Sequence, residues 1–232
     1  MAIAYSARGA SGFGAAVALP LLALVLPLKV LVPAWSLIAA AAGTALLGSD
    51  RHKIAWAEVR RLVPGTLIGI AVGLYVFTLL DSNALAKWVG VFVLAYGLYS
   101  LWTTFTTRTN VHLPAKIAAL VGGIAGGMTG TVVGTMGSTF YAIYFDAIRL
   151  GKDQYRATMT AILLTLTVVR GVGYFSVGVF DRDVVIITAI LFPSMLLGIF
   201  IGNYFHHGMS DLSFRRTVAG ALIVSGAALL IK

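Results

Sequence analysis

Five glycines and four threonines fall within fourteen residues: Gly126-Gly127-Met128-Thr129-Gly130-Thr131-Val132-Val133-Gly134-Thr135-Met136-Gly137-Ser138-Thr139. Each glycine costs about 1 kcal/mol against alanine in a helix, so this density marks backbone that bends or is approached closely. A helix restarting after Gly137 would present free N–H groups and the positive end of its dipole, an arrangement that favours an anion. The hydroxyls of Thr135, Ser138 and Thr139 add hydrogen-bond donors. Thr131, Gly134, Thr135, Gly137, Ser138 and Thr139 are therefore candidate substrate-binding positions. The competing reading is small-xxx-small helix packing, for which Gly126, Gly130 and Gly134 have the spacing. A matching block, Arg8-Gly9-Ala10-Ser11-Gly12-Phe13-Gly14, makes Gly12 and Gly14 candidates for a symmetric half of the cradle.

Two arginines reinforce an anion. Arg170 stands fourteen residues into an apolar stretch, and Arg8 immediately precedes the first glycine block. An arginine at a helix centre costs about 2.5–3.5 kcal/mol on insertion scales, so it normally faces a cavity or a partner. Its fork suits a sulfonate, carboxylate or phosphate oxygen pair. Against this, Arg170 can snorkel to an interface and Arg8 can be a simple interfacial charge.

These residues must be positioned by membrane helices. Hydrophobic residues make up 59% of the chain, charged ones 11%, and mean hydropathy is +0.94. Charge-free stretches at 62–80, 88–107, 117–145 and 184–205 match the roughly 20 residues that cross about 30 Å of hydrocarbon. Stretches 11–48 and 157–180 carry one basic residue each, and 217–231 is shorter. The unbroken runs lack period-two alternation, which excludes a β-barrel. The net charge of +9 sits in short inter-helix loops, so no nucleic-acid partner is expected. Without cysteine there are no disulfides, thiolate metal sites or thiol catalysis, and no metal or cofactor is expected.

The chain also repeats itself. Residues 63–75 read nearly in register with 192–204 at an offset of 129, pairing Pro64 with Pro193, Gly69 with Gly198, Gly73 with Gly202 and Tyr75 with Tyr204. The same offset pairs Lys87 with Arg216 and Gly97 with Gly226, and an earlier block matches at offset 123, pairing Gly14 with Gly137 and Thr44 with Thr167. Two related halves around a central substrate site are a transporter design. The expected organisation is a first repeat at 1–105, a linker at 106–115 and a second repeat at 116–232, forming one membrane domain.

Loop charge discriminates between topologies. If every block crosses once, eight basic residues face seven across the membrane, which is no bias. If the blocks near Gly9–Gly14 and Gly126–Gly137 dip in and return, eleven face four, with Arg8 and Arg170 inside apolar segments. The second arrangement satisfies the positive-inside rule. It predicts an all-α polytopic membrane protein of two inverted repeats, each a re-entrant Gly-rich helix plus three transmembrane helices. Loops 49–61, 106–116, 147–156 and 206–216 then face the cytoplasm from the inner (plasma) membrane. Trp35, Trp56, Trp88 and Trp102 read as interfacial or packing residues, His206-His207 as a headgroup-level pair, and Asp146 as a helix-end carboxylate.

The motif Arg8-Gly9-Ala10-Ser11-Gly12-Phe13-Gly14, followed by Ala18-Leu19-Pro20-Leu21-Leu22-Ala23-Leu24, Leu28 and Val32-Pro33, resembles the TauE/SafE sulfite exporter family. That family is also called the toluene-sulfonate uptake permease family. The second glycine block, its tail Tyr141-Ala142-Ile143-Tyr144-Phe145, and Tyr155-Arg156-Ala157-Thr158 resemble the family's second repeat. The resemblance implies secondary transport of sulfite, organosulfonates or related small organic anions, and is compatible with a coupling proton and a homo-oligomer. Gly137-Ser138 departs from the family's usual Gly-Pro. The first half-helix reads about eight residues shorter than its counterpart, so a shortened start is expected.

Three other functions compete. A rhomboid-like serine protease would use Ser11, but no spans precede it and His206 and His207 lie at a span's edge. A passive anion channel would use the same arginines and glycine breaks. A non-transporting membrane assembly protein would need a tail or soluble domain, and neither is evident. No ATPase motif occurs, so pumping must draw on an ion or solute gradient.

Overall fold

The apolar runs fold as helices, the spanning structure that satisfies every backbone group within one segment. The computed structural model describes residues 14–103, 114–204 and 211–231, with side-chain surroundings at 19–44, 51–102, 114–151, 153–193 and 219–231. The helices are α1 (Gly14–Ala23), α2 (Leu28–Asp50), α3 (Trp56–Leu79), α4 (Ser82–Thr103), α5 (Ala115–Val132), α6 (Gly137–Ala147), α7 (Lys152–Ser176), α8 (Arg182–Tyr204) and α9 (Asp211–Ile231), with a 3-10 turn at Arg51–Lys53. Among the described residues, α3, α4, α5 and α7 are long and apolar enough to cross a membrane. Large apolar side chains such as Leu67, Ile68, Val72 and Tyr75 of α3 stay exposed, as a lipid-facing surface requires. Trp35 is buried and packs, whereas Trp56, Trp88 and Trp102 are exposed.

The chain forms two compact units, each drawing on both halves of the sequence. One comprises Met1–Leu31, Leu80–Thr109 and Arg182–Lys232; the other comprises Val32–Leu79 and Asn110–Asp181.

In the second unit, α3 and α5 meet along glycine. A Cβ on Gly65 would lie 2.6 Å from the Leu120 carbonyl oxygen, one on Gly123 2.7 Å from that of Leu62, and one on Gly73 2.8 Å from Thr131. Gly69 and Gly127 are as tight, against Ile124 and Thr66. The rising register on both helices means they run parallel. Such close backbone approach replaces the hydrophobic drive that lipid does not supply. On α5 the glycines divide among three neighbours: Gly123 and Gly127 face α3, Gly126 meets Gly137 and the Tyr141 ring of α6, and Gly130 lies against Leu166 of α7. Gly122 lies against Phe140 and Tyr144, so α6 folds back antiparallel beside α5. The break is therefore shorter than the glycine block: helix continues through Val132, and only 133–136 turn.

Ala55 N–H donates to Thr158 Oγ1 (3.0 Å), and Gly173 abuts Leu74, so α7 runs parallel to α3. Gly43 against Leu164 and Gly171 against Ser36 make α2 antiparallel to α7. These directions gather the end of α2, the starts of α3, α5 and α7, and the end of α6 at one end of the unit. That end holds Arg51, Lys53, Arg60, Arg61, Lys116, Arg149, Lys152 and Arg156. Among the described residues of this unit, Arg170 is the one lysine or arginine elsewhere.

In the first unit, α4 and α9 cross antiparallel. A Cβ on Gly97 would lie 2.9 Å from Ile223, and one on Gly226 2.7 Å from the Leu94 nitrogen. Across the 129-residue offset, Leu94 corresponds to Ile223 and Gly97 to Gly226. The two contacts are thus one contact with its partners exchanged.

Gly69→Ala is expected to destabilise the protein by about 1–3 kcal/mol, because the neighbour is backbone and cannot yield. Gly220→Ala, with open space around it, is expected to be neutral or slightly stabilising. Thermal melting in detergent checks both.

Candidate functional site

The turn between α5 and α6 lies roughly 25 Å from the basic end of the second unit, taking a rise of about 1.5 Å per residue along α3 to Gly73. Gly134 sits there with φ of 89°, left-handed backbone that side chains other than glycine adopt only with strain. Its N–H donates to the Gly130 carbonyl (3.1 Å), closing the last turn of α5. Helix α6 then starts at Gly137, with no side-chain cap from Met136. Two helix ends of opposite polarity therefore meet within four residues: carbonyls of α5 and N–H groups of α6.

The carbonyl end is occupied from α7. Arg170 is 2% exposed, and its Nη1 donates to the carbonyl oxygens of Gly130 and of Gly134, the latter at 2.7 Å. One turn on, the buried Tyr174 hydroxyl donates to the Thr131 carbonyl. Each bond from a charged donor is worth about 1.5–3 kcal/mol, enough to offset the insertion cost of a buried arginine. Arg170 does not snorkel to an interface. The Tyr174 ring packs on Phe77 of α3, with centroids 5.1 Å apart.

Other hydroxyls stitch the hairpin. Thr131 Oγ1 donates to the Gly127 carbonyl (2.7 Å), and the hydroxyls of Thr66 and Tyr141 share a 3.2 Å bond between α3 and α6. Near the basic end, Tyr144 donates to Glu58 Oε2 (2.5 Å), and Glu58 Oε1 pairs with Arg61 (2.6 Å). Thr135 differs from all of these. Its Oγ1 is buried within the turn and has no hydrogen-bond partner.

The structure thus brings Thr131, Gly134, Thr135, Gly137 and Arg170 together at one break, with Ser138 and Thr139 on the first turn of α6. Thr131 spends its hydroxyl on its own helix. Arg170 Nη1 bonds the carbonyls of Gly130 and Gly134, on the α5 side of the turn. Gly14 begins α1, while Arg8 and Gly12 lie outside the described residues. Sequence reasoning missed Tyr174 and the Thr66–Tyr141 pair. The four-residue spacing of Arg170 and Tyr174, which puts both on one helix face, was the available signal. Among the described residues no cluster of His, Asp and Glu could hold a metal ion.

Gly134→Ala is expected to cost about 1–2 kcal/mol by forcing a Cβ into left-handed backbone. Gly151→Ala, at negative φ in open space, is expected to change the melting temperature little.

No curated protein and no solved structure matches the chain. One family model does: that of the sulfite exporters TauE/SafE, over residues 1–229. With nearly its whole length matched, the chain belongs to the sulfite exporter TauE/SafE family.

Proposed function

We propose that this chain is a gradient-coupled secondary transporter of sulfite, organosulfonates or related small organic anions, and that the turn at 133–136 forms part of its substrate site. Family membership makes the chain a multi-pass anion-transport protein of the membrane rather than an enzyme. Within that role, the buried and unpartnered Thr135 hydroxyl carries the site assignment. A buried hydroxyl left without a bond costs about 1–3 kcal/mol, a cost recovered when an oxyanion binds it. It stands beside the uncapped, positive end of α6, whose first turn adds Ser138 and Thr139. Arg8, Gly12 and Gly14 are kept in this reading as substrate-binding candidates of the first repeat.

The inverted-repeat organisation is part of the proposal. The exchanged contacts of α4 and α9 support it, as does the gathering of basic residues at one end of the second unit. By the positive-inside rule that end faces the cytoplasm of the inner membrane, with loops 49–61, 106–116 and 147–156.

The substitution Thr135→Val separates binding from stability, because the two effects have opposite signs. Removing an unbonded buried hydroxyl is expected to leave the melting temperature unchanged or higher. Sulfite uptake into proteoliposomes is expected to show KM raised by about five- to tenfold. An unchanged KM in folded protein would remove Thr135 from the site. Saturable uptake that responds to a pH gradient marks a coupled transporter; flux linear in concentration marks a channel.

A further inference from the structure

Broken helices in transporters commonly leave carbonyl oxygens free at the end of a half-helix, and a sodium ion or proton is bound there. The end of α5 has the geometry for this: the carbonyls of Gly130, Thr131 and Gly134 all carry donors from α7. Their occupant is a side chain. Arg170 is buried, permanently charged, and rooted on a helix antiparallel to α2 and parallel to α3, so it cannot leave as a free ion does. Tyr174, one helical turn away, bonds the remaining carbonyl and packs on Phe77.

We propose that Arg170 is a tethered cation: it fills the carbonyl cage at the end of α5 that an alkali ion would otherwise occupy. It is therefore a positioning residue, holding Gly134 and Thr135 in place for the anion, and the substrate is bound on the α6 side of the turn. Transport accordingly uses no sodium or potassium ion at this break. This rests on the reading of the turn as part of an anion site. The consequence for energetics is definite: at this break the coupling gradient is not an alkali-cation gradient. A lost guanidinium would leave a cavity of its own shape lined by carbonyl oxygens, and such a cavity takes up a free guanidinium ion.

The test uses full-length protein in three forms: wild type, Arg170→Ala and Arg170→Gln. Sulfite flux into proteoliposomes is measured in sodium, potassium and choline chloride at equal ionic strength, and thermal melting is followed in the same salts. Wild type is expected to be indifferent to the cation in both readouts. Arg170→Ala is expected to lose flux at low sulfite by about tenfold, chiefly through a raised KM because Thr135 is no longer held, and to regain part of it with guanidinium chloride at concentrations far below denaturing. Guanidinium is also expected to raise the melting temperature of Arg170→Ala and not that of wild type. Sodium-dependent flux in wild type would overturn the proposal. So would the absence of any guanidinium effect on flux or melting in folded Arg170→Ala. If Arg170→Ala does not fold, Arg170→Gln, whose amide fills only part of the cage, is expected to show a smaller loss of flux and a smaller guanidinium gain. No guanidinium effect in folded Arg170→Gln would equally overturn the proposal. If wild type moves no sulfite, the anion reading fails, while guanidinium-specific stabilisation of the variant still decides the cage.

Discussion

A helix that stops inside a membrane exposes carbonyls on one side of the break and N–H groups on the other, and lipid can bond neither. The turn at 133–136 is possible because α7 brings Arg170 and Tyr174 to the carbonyl side. Everything else about the site follows from that division. The negative pole of α5 is neutralised from within the protein, and the proposed site assigns the positive pole of α6 and the unbonded Thr135 hydroxyl to a ligand of opposite charge. Gly134 supplies the one backbone conformation that lets the chain reverse so abruptly.

The glycines do separate jobs that composition merges. Those at 65, 69 and 73 let α3 approach the backbone of α5, and those at 123 and 127 answer them. Gly126 and Gly130 instead admit the returning half-helix, with Gly137 opposite. Helix α6 is thereby held between close backbone packing on α5 and hydroxyl bonds to α3. A half-helix so held keeps its N-terminus fixed, which in the proposed site limits the ordering cost of binding.

Much of the fold was legible in the sequence because the bilayer permits few solutions. Apolar length identified the helices, and the contrast of eleven basic residues against four pointed to a chain that dips and returns. In the second unit α5 and α6 pair antiparallel, with Lys116 and Arg149 at the same basic end. The extent of the break was not legible. Glycine marks bending and close packing alike, and only the tertiary partners distinguish Gly126, inside α5, from Gly134, at its end. Arg170 was recognisable as an expensive buried charge, but its carbonyl partners lie 36 and 40 residues away. No local pattern encodes that pairing. Thr135 stood out among its neighbours only once the others' hydrogen bonds were known.

Because the chain contains no cysteine, sidedness is open to single-cysteine labelling with a membrane-impermeant maleimide. Lys116→Cys and Arg149→Cys bracket the α5–α6 hairpin, and Asp181→Cys lies beyond the far end of α7. In oriented vesicles the account predicts that positions 116 and 149 label from the same face and position 181 from the other. Labelling of 116 and 149 from opposite faces would mean that the glycine block crosses the membrane, and would contradict the re-entrant hairpin on which the site is built.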